Sequence, residues 1–187
     1  MTSELPAGDF TTWLGQIGSA LTGDGVSDVP CGPCTACCRS RQFVHVGPDE
    51  TQALAAIPAD LLFAAPGLPV GTMVLGYDQD GRCPMLGTAG CTIYASRPRT
   101  CRVYDCRVFA ATGIPMDEPG NEAIGEQASR WRFTVASESD QEHLDALRAT
   151  GADLSRDRST QGLPATARAL AALRVVVDPQ SEVLPRT

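Results

Sequence analysis

The eight cysteines of this 187-residue chain fall into two clusters whose spacing is typical of metal ligands. The first cluster, CGPCTACC, has the pattern C-x2-C-x2-C-C, and the second follows with wider gaps. A C-x2-C turn lets two thiolates face one ion, and four thiolates complete a zinc site or anchor an iron–sulfur cluster. The candidate metal ligands are Cys31, Cys34, Cys37, Cys38, Cys83, Cys91, Cys101 and Cys106.

The adjacent pair Cys37 and Cys38 favours more than one metal centre. Neighbouring Cα atoms lie about 3.8 Å apart, and their side chains usually diverge. The pair is therefore poorly placed to share one tetrahedron but well placed to serve two nearby centres, with the second cluster supplying the remaining ligands. One site with extra thiols and a polynuclear centre with bridging thiolates are the alternatives.

Arginines surround the second cluster, although the chain as a whole is acidic. Guanidinium groups neutralise the charge of a thiolate centre and donate hydrogen bonds to sulfur. We expect this role for Arg97 and Arg102, with Tyr94 and Tyr104 packing over the site. A solvated basic loop and ordinary core packing of the tyrosines are the alternatives. The arginines between residues 82 and 107 are Arg82, Arg97, Arg99, Arg102 and Arg107.

Few other side chains indicate chemistry. His45 falls in a predicted strand and is a weaker candidate ligand, and His143 is expected to face solvent. A ligand other than cysteine, such as Asp105 or His45, would favour catalysis, because catalytic metal sites keep an open position. The sequence contains no P-loop, no G-x-G-x-x-G after a strand, no G-x-S-x-G and no HExxH motif.

The overall composition is that of an ordinary globular protein, with 43% apolar and 20% charged residues. A net charge of -7 argues against nucleic acid or an anionic membrane as a partner. Because no basic residue precedes Arg39 and no long apolar run occurs, we expect neither a signal peptide nor a membrane helix. These features predict a cytoplasmic protein whose cysteines hold metal ions rather than disulfides. No protein partner is indicated.

Hydrophobic residues at helical spacing predict several helices. The first covers residues 9–21, with Asp9 as a candidate N-cap. A tail helix is expected to begin with a capping box at Ser139 and to stop at Gly151. The other predicted helices cover 47–58, with Pro48 in the first turn, 60–66, 121–131 and a segment that opens at Pro164.

Residues 70–86 have the pattern of a β-hairpin, because apolar runs flank the turn DQDG. Short strands are also expected at 42–46 and 131–135. The chain is thus predicted to have an α+β fold, with a small, irregular, cysteine-rich metal-binding domain framed by short helices and a hairpin. We expect an N-terminal helix and linker at 1–30, the cysteine-cluster domain at 31–110 and a mostly helical extension packed on it at 111–187.

Three motifs, in this order, resemble the YkgJ-like family of cysteine-cluster proteins, described as zinc- or iron-chelating domains. CGPCTACC matches the family's C-x2-C-x2-C-C signature, and CPML is similar to its C-P-x-L element. CTIYASRPRTCRVYDC is similar to its C-x-I-Y-x2-R-P-x2-C-R element. The resemblance implies chelation by the first seven cysteines, with Arg97, Pro98 and Arg102 as motif residues. Cys106 lies just beyond the signature.

These observations predict a protein that binds zinc or iron, as ions or as an iron–sulfur cluster, through clustered thiolates. One alternative is an iron–sulfur or non-haem iron oxidoreductase that uses the centre chemically. Another is an interaction module in which structural zinc presents the arginine-rich loop to an acidic partner. A related cysteine cluster occurs in flagellin lysine N-methylases, but no S-adenosylmethionine site is recognisable in this sequence.

Overall fold

The computed structural model describes residues 3–22, 29 and 32–177, which form an α+β fold as predicted. The helices are α1 Phe10–Thr22, α2 Thr51–Ala56, α3 Arg99–Val103, α4 Arg107–Thr112, α5 Glu122–Ser129, α6 Glu138–Arg156 and α7 Ala165–Val177. The strands are β1 Leu5–Asp9, β2 Val44–Val46, β3 Leu62–Ala64, β4 Met73–Leu75, β5 Leu86–Gly87, β6 Gly90–Cys91 and β7 Trp131–Thr134. Short 3-10 turns lie at Cys37–Arg39, Ala59–Leu61 and Tyr94–Ser96.

The described residues divide into two compact units. The first unit contains 3–22, 105–118 and 125–177, and the second contains 29, 32–104 and 119–124. None of the helices within these ranges combines the length and the apolar character needed to cross a bilayer.

In the first unit, helices α1, α4, α6 and α7 pack together beside a parallel pair of strands, β1 and β7. Its core contains an aromatic cluster in which Phe133 lies 4.8 Å from Trp13 and 5.7 Å from Phe10, measured between ring centroids. Edge-to-face and tilted ring contacts of this kind add to the stabilisation from apolar burial. The cluster therefore holds the strand pair against α1.

The predicted start of α1 is confirmed, whereas both predicted ends of the tail helix are wrong. The Asp9 carboxylate accepts a hydrogen bond from the Thr12 N–H at 2.8 Å and so caps α1. Helix α6 is capped by Ser137, not Ser139, and it continues through Gly151 to Arg156. Gly151 therefore lies inside α6 rather than at its end. Its missing side chain lets α6 approach the Thr112 carbonyl oxygen, with which a Cβ atom would collide.

The second unit is built on a three-stranded antiparallel sheet with the order β2-β4-β3. Val44, Val46 and Leu75 from this sheet form a small core with Ala53 and Ile57, from α2 and the residue that follows it. Several side chains from the later loops pack against this core. They are Cys83, Met85, Ile93 and Cys101.

The predicted hairpin over 70–86 is wrong, although its turn exists. Asp78 accepts hydrogen bonds from the backbone N–H groups of Asp80 and Arg82, which closes the turn. Strand β4 pairs instead with β2 and β3, and the chain after the turn forms the short pair β5 and β6.

Two predicted helices in this unit also need correction. The predicted helix at 60–66 is wrong, because the 3-10 turn Ala59–Leu61 is followed by β3, whose residues pair with β4. The predicted helix over 47–58 is confirmed only in part, since α2 begins at Thr51 and Pro48 therefore lies before its first turn.

We expect Gly151→Ala to lower the free energy of unfolding by roughly 1–3 kcal/mol, because the new methyl group forces α6 away from the Thr112 carbonyl. Gly15→Ala in α1 is the matched control, since a Cβ atom at Gly15 meets nothing within 4 Å. It should be neutral or stabilising by up to about 1 kcal/mol. Equilibrium urea denaturation measures both variants, and equal effects would contradict the close packing at Gly151.

Candidate metal centre

The first cysteine segment is a compact turn held by its own backbone. Cys37 and Cys38 lie in the 3-10 turn Cys37–Arg39, and the Ser40 N–H donates to the Cys37 carbonyl oxygen at 3.2 Å. The buried Ser40 hydroxyl also donates to the Ala36 carbonyl oxygen at 2.9 Å. These two bonds fix the turn that carries the adjacent cysteines.

A backbone hydrogen bond joins the second cysteine segment to the first. The Cys83 N–H donates to the Cys38 carbonyl oxygen at 2.8 Å. Cys91 lies in β6 opposite Leu86, so the short pair β5 and β6 returns the chain toward Cys83. Cys101 lies in α3, and its N–H donates to the carbonyl oxygen of the buried Pro98.

Six of the predicted ligands line one cavity in the second unit, which we call the thiol cavity. Its volume is about 100 Å³. Apolar side chains that include Val44, Leu75, Met85 and Ile93 form other parts of its wall. The cysteines that line it are Cys34, Cys37, Cys38, Cys83, Cys91 and Cys101.

The donors of the thiol cavity fit a thiophilic metal. No disulfide joins the cysteines that the structure describes, and no carboxylate or histidine lines the cavity. Thiolate ligands are those preferred by zinc and by iron–sulfur clusters. In the described ranges, however, no three Cys, His, Asp or Glu side chains converge on one point that could hold an ion. The described cysteines thus line the same cavity, but their sulfur atoms are not arranged around one point as the ligands of a bound ion would be.

Burial raises the pKa of the Cys83 thiol. The Met85 backbone N–H opposes this shift, and the nearby Cys91 adds to it. The cause is desolvation, because a partly apolar wall disfavours a bare thiolate. A cation that replaces the proton of Cys83 offsets this penalty.

Arg97 and Tyr94 form one side of the thiol cavity, as a stacked pair. The Arg97 guanidinium carbon lies 4.1 Å from the centroid of the Tyr94 ring, and the guanidinium also donates to the Tyr94 carbonyl oxygen at 3.0 Å. Tyr104 lines the same cavity. Arg102, predicted to act beside Arg97, is not among its lining residues. Of the five arginines near the second cluster, Arg97 is the one that lines the cavity.

The other predicted ligands lie elsewhere or outside the described residues. Cys31 is outside the described residues. Cys106 belongs to the first unit, where the Trp131 indole N–H donates to its sulfur at 3.2 Å. His45 is exposed on β2 and does not line the thiol cavity, and His143 is exposed on α6.

Asp105, considered above as a ligand, is buried in the first unit and engaged by several donors. Its carboxylate accepts from the Trp13 indole N–H at 2.8 Å and from two nitrogens of the Arg107 side chain. Arg107 in turn donates to the Ala7 carbonyl oxygen at 3.0 Å. This network ties α1, α4 and β1 together, which is a structural role.

Several residues of the cavity wall were not predicted from the sequence. Gln42 lines the thiol cavity, and its side-chain amide donates to Asn121 at 2.6 Å. Met85 and Ile93 line it as well. Met85 lies two residues after Cys83, and Ile93 lies two residues after Cys91. This closeness to a cysteine in the sequence was the available signal that they line the cavity.

An irregular α+β unit with six cysteines around one cavity defines a cysteine-cluster domain. Residues 30–118 match the model of the CxxCxxCC family, which is described as a "putative zinc- or iron-chelating domain". This segment, just under half of the chain, is similar to that family, and the resemblance drawn from the motifs is confirmed. The family description supports metal binding by the chain. Comparisons with curated proteins and with solved structures found no match.

We expect Asp105→Asn to lower the free energy of unfolding by roughly 2–4 kcal/mol, because it leaves the Arg107 charge without its buried partner. Asp153→Asn is the matched control, since the Asp153–Arg156 pair is exposed. It should cost less than about 1 kcal/mol. Denaturant unfolding and metal analysis of both variants check this. Loss of metal with unchanged stability in Asp105→Asn would contradict the structural role.

Proposed function

We propose that the second unit chelates zinc or iron through the thiolates of the thiol cavity. The observation that carries this proposal is the meeting of six cysteines, from two distant segments, in the wall of one cavity. The chelating description of the family supports the same conclusion.

The chemistry of the donors selects the kind of metal. Calcium and magnesium prefer oxygen ligands, whereas the thiol cavity offers sulfur and no carboxylate. A bound zinc ion supplies a fixed cross-link between the segments, and an iron–sulfur cluster supplies electron transfer. Within the chain, Cys34, Cys37 and Cys38 would hold the metal from one side, and Cys83, Cys91 and Cys101 from the other.

The number of donors favours more than one ion. A tetrahedral zinc site takes four thiolates, and the thiol cavity already offers six. Cys37 and Cys38 both line it although they are adjacent in sequence. Two neighbouring ions that share bridging thiolates use all of these donors. This arrangement also gives each member of the adjacent pair, Cys37 and Cys38, an ion to bind.

Arg97 supports the proposal through its charge. Four thiolates on one divalent ion leave a net negative charge, and a guanidinium at the cavity wall offsets part of it. The Arg97 side chain is held by the Tyr94 carbonyl oxygen and by the Tyr94 ring, so its charge is fixed at the wall. No movement of the side chain is needed when the thiols lose their protons.

We expect Cys34→Ser to lower both the metal content and the melting temperature, because metal-binding energy is partly folding energy. A loss of two or more kcal/mol would shift the melting temperature by roughly 5 °C or more. Cys106→Ser is the matched control, since Cys106 does not line the thiol cavity and its sulfur accepts from Trp131. It should retain its metal. Elemental analysis and thermal melting test both variants.

Equal loss of metal in the two variants would show that the ligand set extends to Cys106. Loss of metal from Cys34→Ser without a change in melting temperature would contradict a structural contribution by the metal.

The two-ion arrangement predicts two equivalents of zinc or iron per chain after anaerobic purification. Elemental analysis gives the count, and an absorption spectrum separates the two metals. Visible absorbance that bleaches on reduction indicates an iron–sulfur cluster, and a colourless protein with zinc indicates structural chelation. One equivalent would contradict the second ion, and much less than one equivalent would contradict chelation itself.

A further inference from the structure

A second cavity, which we call the polar cavity, lies between α2 and α3 in the second unit. Its volume is about 300 Å³, and none of the cysteines that the structure describes lines it. Three arginines, Arg97, Arg99 and Arg102, face two carboxylates, Asp49 and Glu50, across it. Three positive groups against two negative groups leave one positive charge in excess.

Both carboxylates of the polar cavity already have donors of their own. Asp49 accepts from the Arg99 guanidinium at 2.6 Å, and this hydrogen bond holds the pKa of Asp49 below its ordinary value. Glu50 accepts from the Arg99 backbone N–H and from the Gly47 N–H. Asp49 and Glu50 are therefore committed to Arg99 and to the backbone rather than to Arg102.

The Arg102 guanidinium is the remaining charge of the polar cavity. Within the part of the chain that the structure describes, this side chain forms neither a hydrogen bond nor an ion pair. It is half-buried rather than fully exposed, and its guanidinium carries five N–H donors. Arg97 differs, because its guanidinium is held by the carbonyl oxygens of Tyr94 and Val29.

We propose that the polar cavity binds a small oxyanion, a phosphate or carboxylate group, with Arg102 as its anchor. The planar guanidinium fork pairs with two oxygens of such a group, which makes the contact both strong and directional. Thr51, Gln52 and Ser96 line the same cavity and supply neutral side-chain donors. The proposal does not depend on metal binding, because Arg102 is not among the residues that line the thiol cavity.

The test is calorimetric titration of the full chain with sodium phosphate and, separately, with sodium succinate, at constant ionic strength set by sodium chloride. We expect at least one of the two anions to bind, and Arg102→Gln to weaken that binding by about tenfold or more. Binding of phosphate alone identifies a phosphate group, and binding of succinate alone identifies a carboxylate. Binding of neither anion overturns the proposal.

Arg158→Gln is the matched control, because it removes the same charge from an exposed position in the first unit. It should bind the anion as tightly as the parent chain, and an equal loss in both variants overturns the proposal. Arg102→Lys keeps the charge without the fork, so it should fold and bind several-fold more weakly. If Arg102→Gln does not fold, the Arg102→Lys variant is the test. Anion binding by Arg102→Lys as tight as that of the parent chain would then overturn Arg102 as the anchor.

Metal content separates this proposal from the proposed function. We expect Arg102→Gln to lose anion binding and to keep the metal content of the parent chain. Loss of both would assign Arg102 to the thiol site and overturn the separate oxyanion site. A parent chain that binds the anion but contains no metal would contradict the proposed metal chelation and leave the oxyanion proposal standing.

Discussion

The hydrogen bond from the Cys83 N–H to the Cys38 carbonyl oxygen joins the two cysteine segments of the second unit. The Gly32 N–H of the first segment also donates to the Tyr94 hydroxyl of the second at 3.4 Å. Apolar packing adds a further restraint, because Cys83 and Cys101 pack against the small core formed by β2 and β4. The geometry of the thiol cavity thus depends on a three-stranded sheet of very short strands, and small changes in that sheet must reach the sulfur atoms.

A core of this size explains why a metal is a reasonable part of the fold. The buried cluster of the second unit contains five residues, and units of this length usually need a staple in addition to apolar burial. Under the proposed function, metal–thiolate bonds supply that staple, and the folding energy of the unit becomes linked to the metal. The first unit depends less on such a staple, because its aromatic cluster joins α1 to β7 and its Asp105 network joins α1, α4 and β1.

Local signals in the sequence predicted the longer helices and the resemblance to the family, whereas pairings between distant segments could not be read from it. The turn DQDG was recognised correctly, but turn residues do not specify which strand pairs with the one before the turn. Gly151 has the sequence signal of a helix stop, yet its role is a close approach to Thr112 that only the tertiary structure reveals. Strand β1 was missed because it contains Pro6 and Gly8, which are uncommon in strands. Spacing alone also could not assign Cys106 to the first unit.

Arg97 lines both the thiol cavity and the polar cavity, so one guanidinium belongs to two candidate anion-binding surfaces. Its two terminal nitrogens donate to the carbonyl oxygens of Tyr94 and Val29, and the guanidinium lies over the Tyr94 ring. It therefore acts as a fixed positive charge in a shared wall rather than as a clamp that closes on a ligand. Thiolates on one side and an oxyanion on the other would draw on the same charge, and such a coupling must act equally in both directions. Arg102 lines the polar cavity but not the thiol cavity, and for this reason the oxyanion is assigned to Arg102 rather than to Arg97.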